Sequence, residues 1–222
     1  MAHDELIHRI GYAFKDEKYL DTALTHRSAT GENNERMEFL GDAILSYIIS
    51  IELYRRFPRA TEGELSRLRA SLVKGDTLAK LANSITLGEF LAMGSGELKS
   101  GGYRRDSIQA DAFEAIIGAI YLDGGLDEAS RFVHRFLDKK LAACDPNKVL
   151  KDPKTRLQEY LQAKNAALPG YDVVETHGKA HNQTFKISCR IEEVPDVSYG
   201  EGTSRRKAEQ AAATAMLEKL GL

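Results

Sequence analysis

Cysteine is scarce in this chain, and its scarcity excludes two kinds of covalent or metal-based framework. Only Cys144 and Cys189 occur among 222 residues, and they lie far apart without the spacing of metal ligands. A disulfide framework and a structural zinc site are therefore both unsupported. Long apolar runs are also missing, so no segment reaches the length of a membrane helix. The N-terminal segment MAHDELIHR is charged and lacks the apolar region of a signal peptide. We therefore expect a cytoplasmic protein.

The chain also lacks an excess of positive charge. It carries 31 Lys and Arg residues against 33 Asp and Glu residues, a formal net charge of −2, whereas nucleic-acid-binding proteins often have a basic excess. Net charge averages over separate surfaces, however, so acids collected at one site could mask a basic surface elsewhere. Local clusters of charge must therefore decide which partners the chain binds.

The pattern of apolar residues changes near residue 150 and divides the chain into two unlike parts. Residues 1–145 have helical periodicity in almost every segment, which predicts an all-α domain. Residues 146–152 have no apolar period and are predicted to be a linker. Strict apolar alternation from Phe185 to Ile191 predicts a strand, and residues 153–222 read as an α+β domain in the order α-β-β-β-α. The predicted fold is therefore a mixed, two-domain one.

Local signals mark several helix ends in the first part. Pro58 should end a long helix, and Thr61 with Glu64 is predicted to form a capping box that opens the next one. Asp76 is predicted to cap a further helix. The glycine-rich segment 94–102 is predicted to be a loop. It lacks the Gly-Lys-Ser/Thr ending of a nucleotide-binding loop, so we reject a phosphate cradle there.

Three acids lie inside an apolar helical pattern at residues 34–45, with the sequence NERMEFLGDAIL. Glu35, Glu38 and Asp42 are spaced i, i+3 and i+7, which places them along one face of a helix. Like charges at this spacing repel each other and do not stabilise a helix. A hard divalent cation is the simplest explanation for acids in this arrangement.

A second acidic pair, Asp111 and Glu114, lies on an apolar helix predicted for residues 107–121. If the two helices pack side by side, Glu38 and Asp42 complete a set of four carboxylates that suits Mg²⁺. Such a site can bind phosphate oxygens, activate water and stabilise the leaving oxygen of a phosphodiester. Acids on helices are more often solvated surface charges, but the apolar surroundings of these four favour a site.

Two glycines support close contact between the acidic helices. Gly41 and Gly118 lie inside the two helices, where each costs about 1 kcal/mol relative to Ala. Their presence predicts that the helix backbones approach closely, which would bring the acidic faces together.

Residues 153–222 contain three separated polar regions. Cations occupy the first turn of the last helix, where backbone N–H groups already attract phosphate. A histidine lies in the loop between the first two strands, and the first helix has a polar face suited to 2′-hydroxyls. Double-stranded RNA is contacted in this way, across two minor grooves and the phosphates between them, although solvated charge is the commoner explanation for a basic run. The candidate RNA contacts are Thr155, Gln158, Glu159, Gln162, His181, Arg205, Arg206 and Lys207.

Residues 34–45 closely resemble the signature of the ribonuclease III family, and residues 153–222 resemble a double-stranded-RNA-binding domain. Residues 24–28, 96–102 and 111–119 carry further parts of the resemblance. It implies a bacterial-type homodimer whose endonuclease domain cleaves both strands of duplex RNA, leaving 5′-phosphate and 3′-hydroxyl ends. It also implies the processing of ribosomal RNA precursors, messenger RNA and other structured transcripts.

The resemblance also implies roles for individual residues. Phe39 falls where the signature helix packs against a partner subunit, and many RNA-binding domains of this type have a basic residue in place of Glu209, which predicts a weaker phosphate contact here. The implied ligands of Mg²⁺, or of Mn²⁺ in its place, are Glu38, Asp42, Asp111 and Glu114. The implied further catalytic acids are Glu35 and Glu62.

Two alternatives stay open from the sequence. One is a catalytically inactive RNA-binding or assembly protein on the same scaffold, which would be expected to have lost some of the acids. The other is a metal-dependent hydrolase of small phosphates with an accessory C-terminal domain.

Overall fold

The protein is described by a computed structural model that covers residues 2–146, 152–178, 183–192 and 194–222. It divides into two compact units, Met1–Val149 and Leu150–Leu222, which are treated separately below. The predicted linker, residues 146–152, lies almost wholly outside the described residues. Among the helices in the described ranges, none combines the length and the hydropathy needed to span a membrane.

The first unit is helical, as predicted. Short 3₁₀ turns at Leu87–Phe90 and Gly102–Arg104 accompany its α-helices. The helices are α1 (Ala2–Ile10), α2 (Glu17–Leu24), α3 (Glu35–Arg56), α4 (Glu62–Val73), α5 (Gly75–Ser84), α6 (Ser95–Lys99), α7 (Asp106–Gly124) and α8 (Leu126–Ala142).

Helix α7 is the centre of this unit because α2, α3, α5 and α8 all pack on it. Most of its side chains from Ile108 to Ile120 are buried, so it is apolar around most of its circumference. The predicted close contact with α3 is confirmed. A Cβ atom at Gly41 would overlap the backbone oxygen of Glu114, and one at Gly118 would overlap the backbone oxygen of Met37.

The structure confirms two predicted helix ends and corrects a third. Helix α3 ends at Arg56, just before Pro58. Thr61 and Glu64 form the capping box, in which the Glu64 carboxylate accepts a hydrogen bond from the Thr61 backbone N–H at 2.7 Å. Asp76 does not cap α5, because the helix begins at Gly75 and its N-cap residue is Lys74, two residues before Asp76. The segment 94–102 is not simply a loop. It contains α6, which ends near Gly101 in the left-handed region at φ 76°.

The second unit has the predicted α-β-β-β-α order. Its elements are α9 (Pro153–Ala163), β1 (Gly170–His177), β2 (Thr184–Ile191), β3 (Val194–Gly202) and α10 (Arg205–Lys219). The antiparallel sheet has the order β1-β2-β3. Leu157 and Leu161 of α9 are buried in one cluster with Cys189 of β2 and Met216 of α10. Both helices therefore pack on the same core as the sheet.

Candidate active site and RNA-binding surface

Three carboxylates meet where α3 packs on α7. Glu38, Asp111 and Glu114, here called the acidic cluster, each offer an oxygen atom, and these atoms lie within 4.8 Å of one another. Asp111 and Glu114 are three residues apart on α7, and Glu38 lies in the first turn of α3. All three side chains are half-buried. The small separation of the helices at Gly41 is what allows carboxylates from both to share one space.

The acidic cluster is electrostatically strained without a counter-ion. Burial raises the pKa of Glu114 to about 8, and the charges of Asp42, Glu38 and Asp111 add to this effect. Burial is also the largest cause of the raised pKa values of Glu38 and Asp111. A divalent cation would offset both burial and mutual repulsion, and carboxylate oxygens are the ligands that hard cations prefer.

Of the other three predicted acids, Asp42 and Glu35 act electrostatically on the acidic cluster, whereas Glu62 lies on a different helix, α4. Asp42 is exposed on α3, and its charge acts on both Glu114 and Glu38. Glu35 is exposed at the start of α3, 3.6 Å from the guanidinium of Arg27. Glu62 lies in the first turn of α4, where its carboxylate accepts a hydrogen bond from the Ser66 hydroxyl at 2.6 Å. The structure thus brings three of the six acids into one group.

A polar groove of about 680 Å³ runs beside the acidic cluster. The sequence suggested that Glu97 and Arg105 line a path for nucleic acid and that His26 and Arg27 have a supporting role, and all four line this groove. Arg27 and His26 line it and act to lower the pKa of Asp111, which burial raises. Arg105 also lines it and forms an ion pair with Glu97 at 2.7 Å. Residues 24–28 had carried part of the family resemblance, which was the available signal for Arg27.

The predicted RNA contacts that can be located lie on the two helices of the second unit. His181 lies outside the described residues. Ser204 caps α10 by accepting a hydrogen bond from the backbone N–H of Lys207 at 3.2 Å, so the cations start at the open N-terminus of that helix. Gln158, Glu159 and Gln162 on α9 and Arg205, Arg206 and Lys207 on α10 are exposed, and Thr155 is half-buried.

Comparisons with known proteins agree with both halves of this arrangement. Residues 16–141 match the family model described as ribonuclease-III-like, and residues 153–220 match the double-stranded RNA binding motif. The chain belongs to the ribonuclease III family. Ribonuclease 3 of Glaesserella parasuis serovar 5 is 54% identical over 222 residues, which is 100% of both chains. Ribonuclease 3 of Marinomonas sp. is 56% identical, covering 98% of this chain and 96% of that protein.

Solved structures of ribonuclease III extend the similarity to the fold of the first unit. One nuclease domain from Campylobacter jejuni is 43% identical with a TM-score of 0.60, covering 64% of this chain and 97% of that one. Another structure from the same organism is 45% identical with a TM-score of 0.59, covering 61% and 95%. The latter is described by flexibility in a region of that protein involved in dimer formation.

Membership of the ribonuclease III family implies a divalent metal cofactor, and the acidic cluster fits one. Its donors are all carboxylate oxygens, and they come from two rigid helices rather than from loops. Glu38, Asp111 and Glu114 would hold the cation, and Asp42 lies close enough to add charge.

The raised pKa of Glu114 predicts that the metal-free protein loses stability as the pH rises. Its pKa is about 8 in the folded chain and near 4.5 in the unfolded chain, so between these values the folded state binds the extra proton. The stabilisation is complete below about pH 4.5 and is lost as the pH passes through 8. Denaturant unfolding in EDTA should show this decline, and Glu114→Gln should flatten it. An equal decline in both proteins would contradict the assignment.

Proposed function

We propose that this chain is a divalent-metal-dependent endoribonuclease that hydrolyses both strands of double-stranded RNA, leaving 5′-phosphate and 3′-hydroxyl ends. The observation that carries the proposal is that one chain holds both a half-buried carboxylate cluster and a double-stranded RNA binding motif. The carboxylate cluster is suited to the hydrolysis of phosphodiesters, and the binding motif is suited to holding an RNA duplex. The residues of a working site are all present, which disfavours the inactive-scaffold alternative.

The acidic residues divide into two groups in this proposal. Mg²⁺ is the preferred cofactor, because carboxylates with water suit its coordination, and Mn²⁺ would substitute for it. A cation held by these carboxylates would supply the positive charge needed to bind a phosphate oxygen, to activate water and to stabilise the leaving oxygen. Glu35 acts at the edge of the site through its charge on Glu38, and the catalytic role of Glu62, which lies on α4, rests on the family resemblance alone. The proposed ligands are Glu38, Asp111 and Glu114, which meet in the acidic cluster, together with Asp42, which lies outside the cluster and acts on Glu114 through its charge.

The cations near the acidic cluster handle the charge of the substrate. Arg27 and Arg105 line the polar groove on the side where the RNA backbone would approach. Each already faces a carboxylate, Glu35 at 3.6 Å and Glu97 at 2.7 Å, so neither is drawn into the acidic cluster itself. The predicted contacts on α9 and α10 bind the duplex outside the site, with His181 in the loop between β1 and β2.

We further propose that the chain acts as a homodimer through its nuclease domain. Phe39 is 80% exposed on α3, which is unusual for a large apolar side chain and marks an interaction surface. A groove of about 590 Å³ with apolar residues, including Met37, Leu40 and Leu122, lies around it. A dimer would present two acidic clusters, one for each strand of the duplex.

The remaining parts of the proposal concern organisation and cellular role. We propose a nuclease domain of residues 1–145, a linker of residues 146–152 and an RNA-binding domain of residues 153–222. The expected substrates are ribosomal RNA precursors and other structured transcripts in the cytoplasm. Membership of the ribonuclease III family supports the division into a nuclease domain and an RNA-binding domain, and it supports the expected substrates.

A plain RNA duplex tests the proposed function. The protein with Mg²⁺ should cut both strands, and it should not cut the same strands when each is supplied alone or when EDTA replaces Mg²⁺. Mapping the ends should find 5′-phosphates and 3′-hydroxyls. Cleavage of the separate strands at the same rate would contradict specificity for the duplex, and effective competition by a mononucleotide would instead favour the small-phosphate hydrolase.

A further inference from the structure

An acid lies among the cations that begin α10, where phosphate contact is expected. The side chain of Glu209 is only 14% exposed and bonds two cations at once. One carboxylate oxygen accepts a hydrogen bond from Lys154 Nζ at 2.6 Å, and the other accepts one from Arg205 Nε at 3.1 Å. Glu209 therefore connects the start of α9 to the start of α10.

The hydrogen bond between Glu209 and Arg205 leaves the two Nη groups of the guanidinium available. Only Nε contacts Glu209, and among the described residues no other hydrogen bond to this guanidinium is found. The Arg205 side chain is 64% exposed. A guanidinium held on its inner edge presents both Nη groups in a fixed plane, which is the geometry for two parallel hydrogen bonds to a phosphate.

Further contacts fix Lys154 and the two helix starts. Lys154 Nζ lies 4.4 Å from the centre of the Tyr171 ring, and its backbone N–H donates to the side-chain oxygen of Gln210 at 3.1 Å. The Gln210 amide in turn donates to Asp152 at 2.7 Å. The hydrogen bond from Lys154 is the main reason that the pKa of Glu209 is lowered, so this carboxylate is ionised at neutral pH.

We propose that Glu209 is a positioning residue for duplex RNA: it anchors Arg205 from behind and ties that arginine to Lys154, so that the guanidinium meets a phosphate already oriented. The proposal rests on the proposed function, since it presumes that α10 binds RNA. It reverses the expectation from charge alone. A simple repulsive acid would weaken binding, and its removal would strengthen it, whereas removal of a positioning acid weakens binding because Arg205 must be ordered again on contact.

The test is the affinity of the full chain for a plain RNA duplex in Ca²⁺ buffer, measured over a range of salt concentrations. Glu209→Gln removes the charge and keeps the side-chain size. We expect binding about three- to tenfold weaker, with the slope of log K against log salt reduced by up to about one phosphate contact. Glu218→Gln makes the same charge change near the exposed end of α10 and should leave affinity within about twofold.

Two further variants separate positioning from other causes. Glu209→Asp keeps the charge but shortens the reach to Arg205 and Lys154, so it should also weaken binding. In a chain already carrying Arg205→Gln, Glu209→Gln should have much less effect, because the residue that it positions is gone. A loss of folding would lower the active fraction but would not change the salt slope.

The outcomes separate this proposal from the proposed function. Tighter binding by Glu209→Gln, unchanged binding by Glu209→Asp, or equal effects of Glu209→Gln with and without Arg205 would each overturn the positioning role. Failure of the unchanged protein to bind duplex RNA would overturn the proposed function instead.

Discussion

Replacing Glu114 with glutamine is expected to lower cleavage of duplex RNA by at least about a hundredfold while leaving duplex binding largely intact. The pKa of Glu114 is raised to about 8, first by burial and then by the charges of Asp42, Glu38 and Asp111. The amide keeps the size of the side chain but supplies no negative charge to a cation. The measurement is single-turnover cleavage in Mg²⁺, with binding measured separately in Ca²⁺ buffer.

A matched control is available for this substitution. Glu89 is exposed in the 3₁₀ turn after α5, and Glu89→Gln makes the same chemical change away from the acidic cluster. It should cut at the rate of the unchanged protein. Undiminished cleavage by Glu114→Gln would remove Glu114 from the metal site, and equal losses in both variants would mean that the effect is not specific to the site.

Replacing Gly41 with alanine is expected to destabilise the nuclease domain by about 3 kcal/mol or more. The added methyl group would overlap the backbone oxygen of Glu114, and a backbone atom in a helix cannot rotate away as a flexible side chain can. Helix α3 would have to move off α7, which would also separate Glu38 from Asp111. Cleavage should therefore fall together with the melting temperature.

The control for this prediction is a glycine in open space. Gly96 lies in α6, and a Cβ atom there would have no neighbour within 4 Å. Gly96→Ala should leave the melting temperature unchanged or slightly raised, because alanine is the better helix former. If Gly41→Ala were as stable as Gly96→Ala, the close contact of α3 and α7 would not exist in solution.

The spacing of the acids predicted which two helices form the site but not how deeply each acid is buried. Periodicity puts Glu38 and Asp42 on one face of α3, yet Asp42 is exposed and Glu38 is half-buried. The burial of each acid depends on how much of the neighbouring turn of α3 is covered by α7. The spacing of residues along the sequence does not contain that information. The same limit applies to Arg27, which reaches the site from the segment between α2 and α3.

Short elements and contacts between helices were not predicted from the sequence for a related reason. Helix α6 lies in a segment rich in glycine, where local propensity favours a loop. From the sequence, Glu209 was interpreted only as the loss of a basic residue, because its partner Lys154 lies on another helix, 55 residues away. The longer helices, the Thr61 capping box and the three strands were predicted correctly because residues close in sequence determine them.

The most direct test of the central claim is to locate the cation. Crystals of the unchanged protein soaked with Mn²⁺ can be measured at the manganese absorption edge, together with crystals of Glu114→Gln. Our account predicts an anomalous peak between the carboxylate oxygens of Glu38, Asp111 and Glu114, weakened or lost in the variant. No peak there at a Mn²⁺ concentration that supports cleavage, or a peak bound only by other residues, would contradict it.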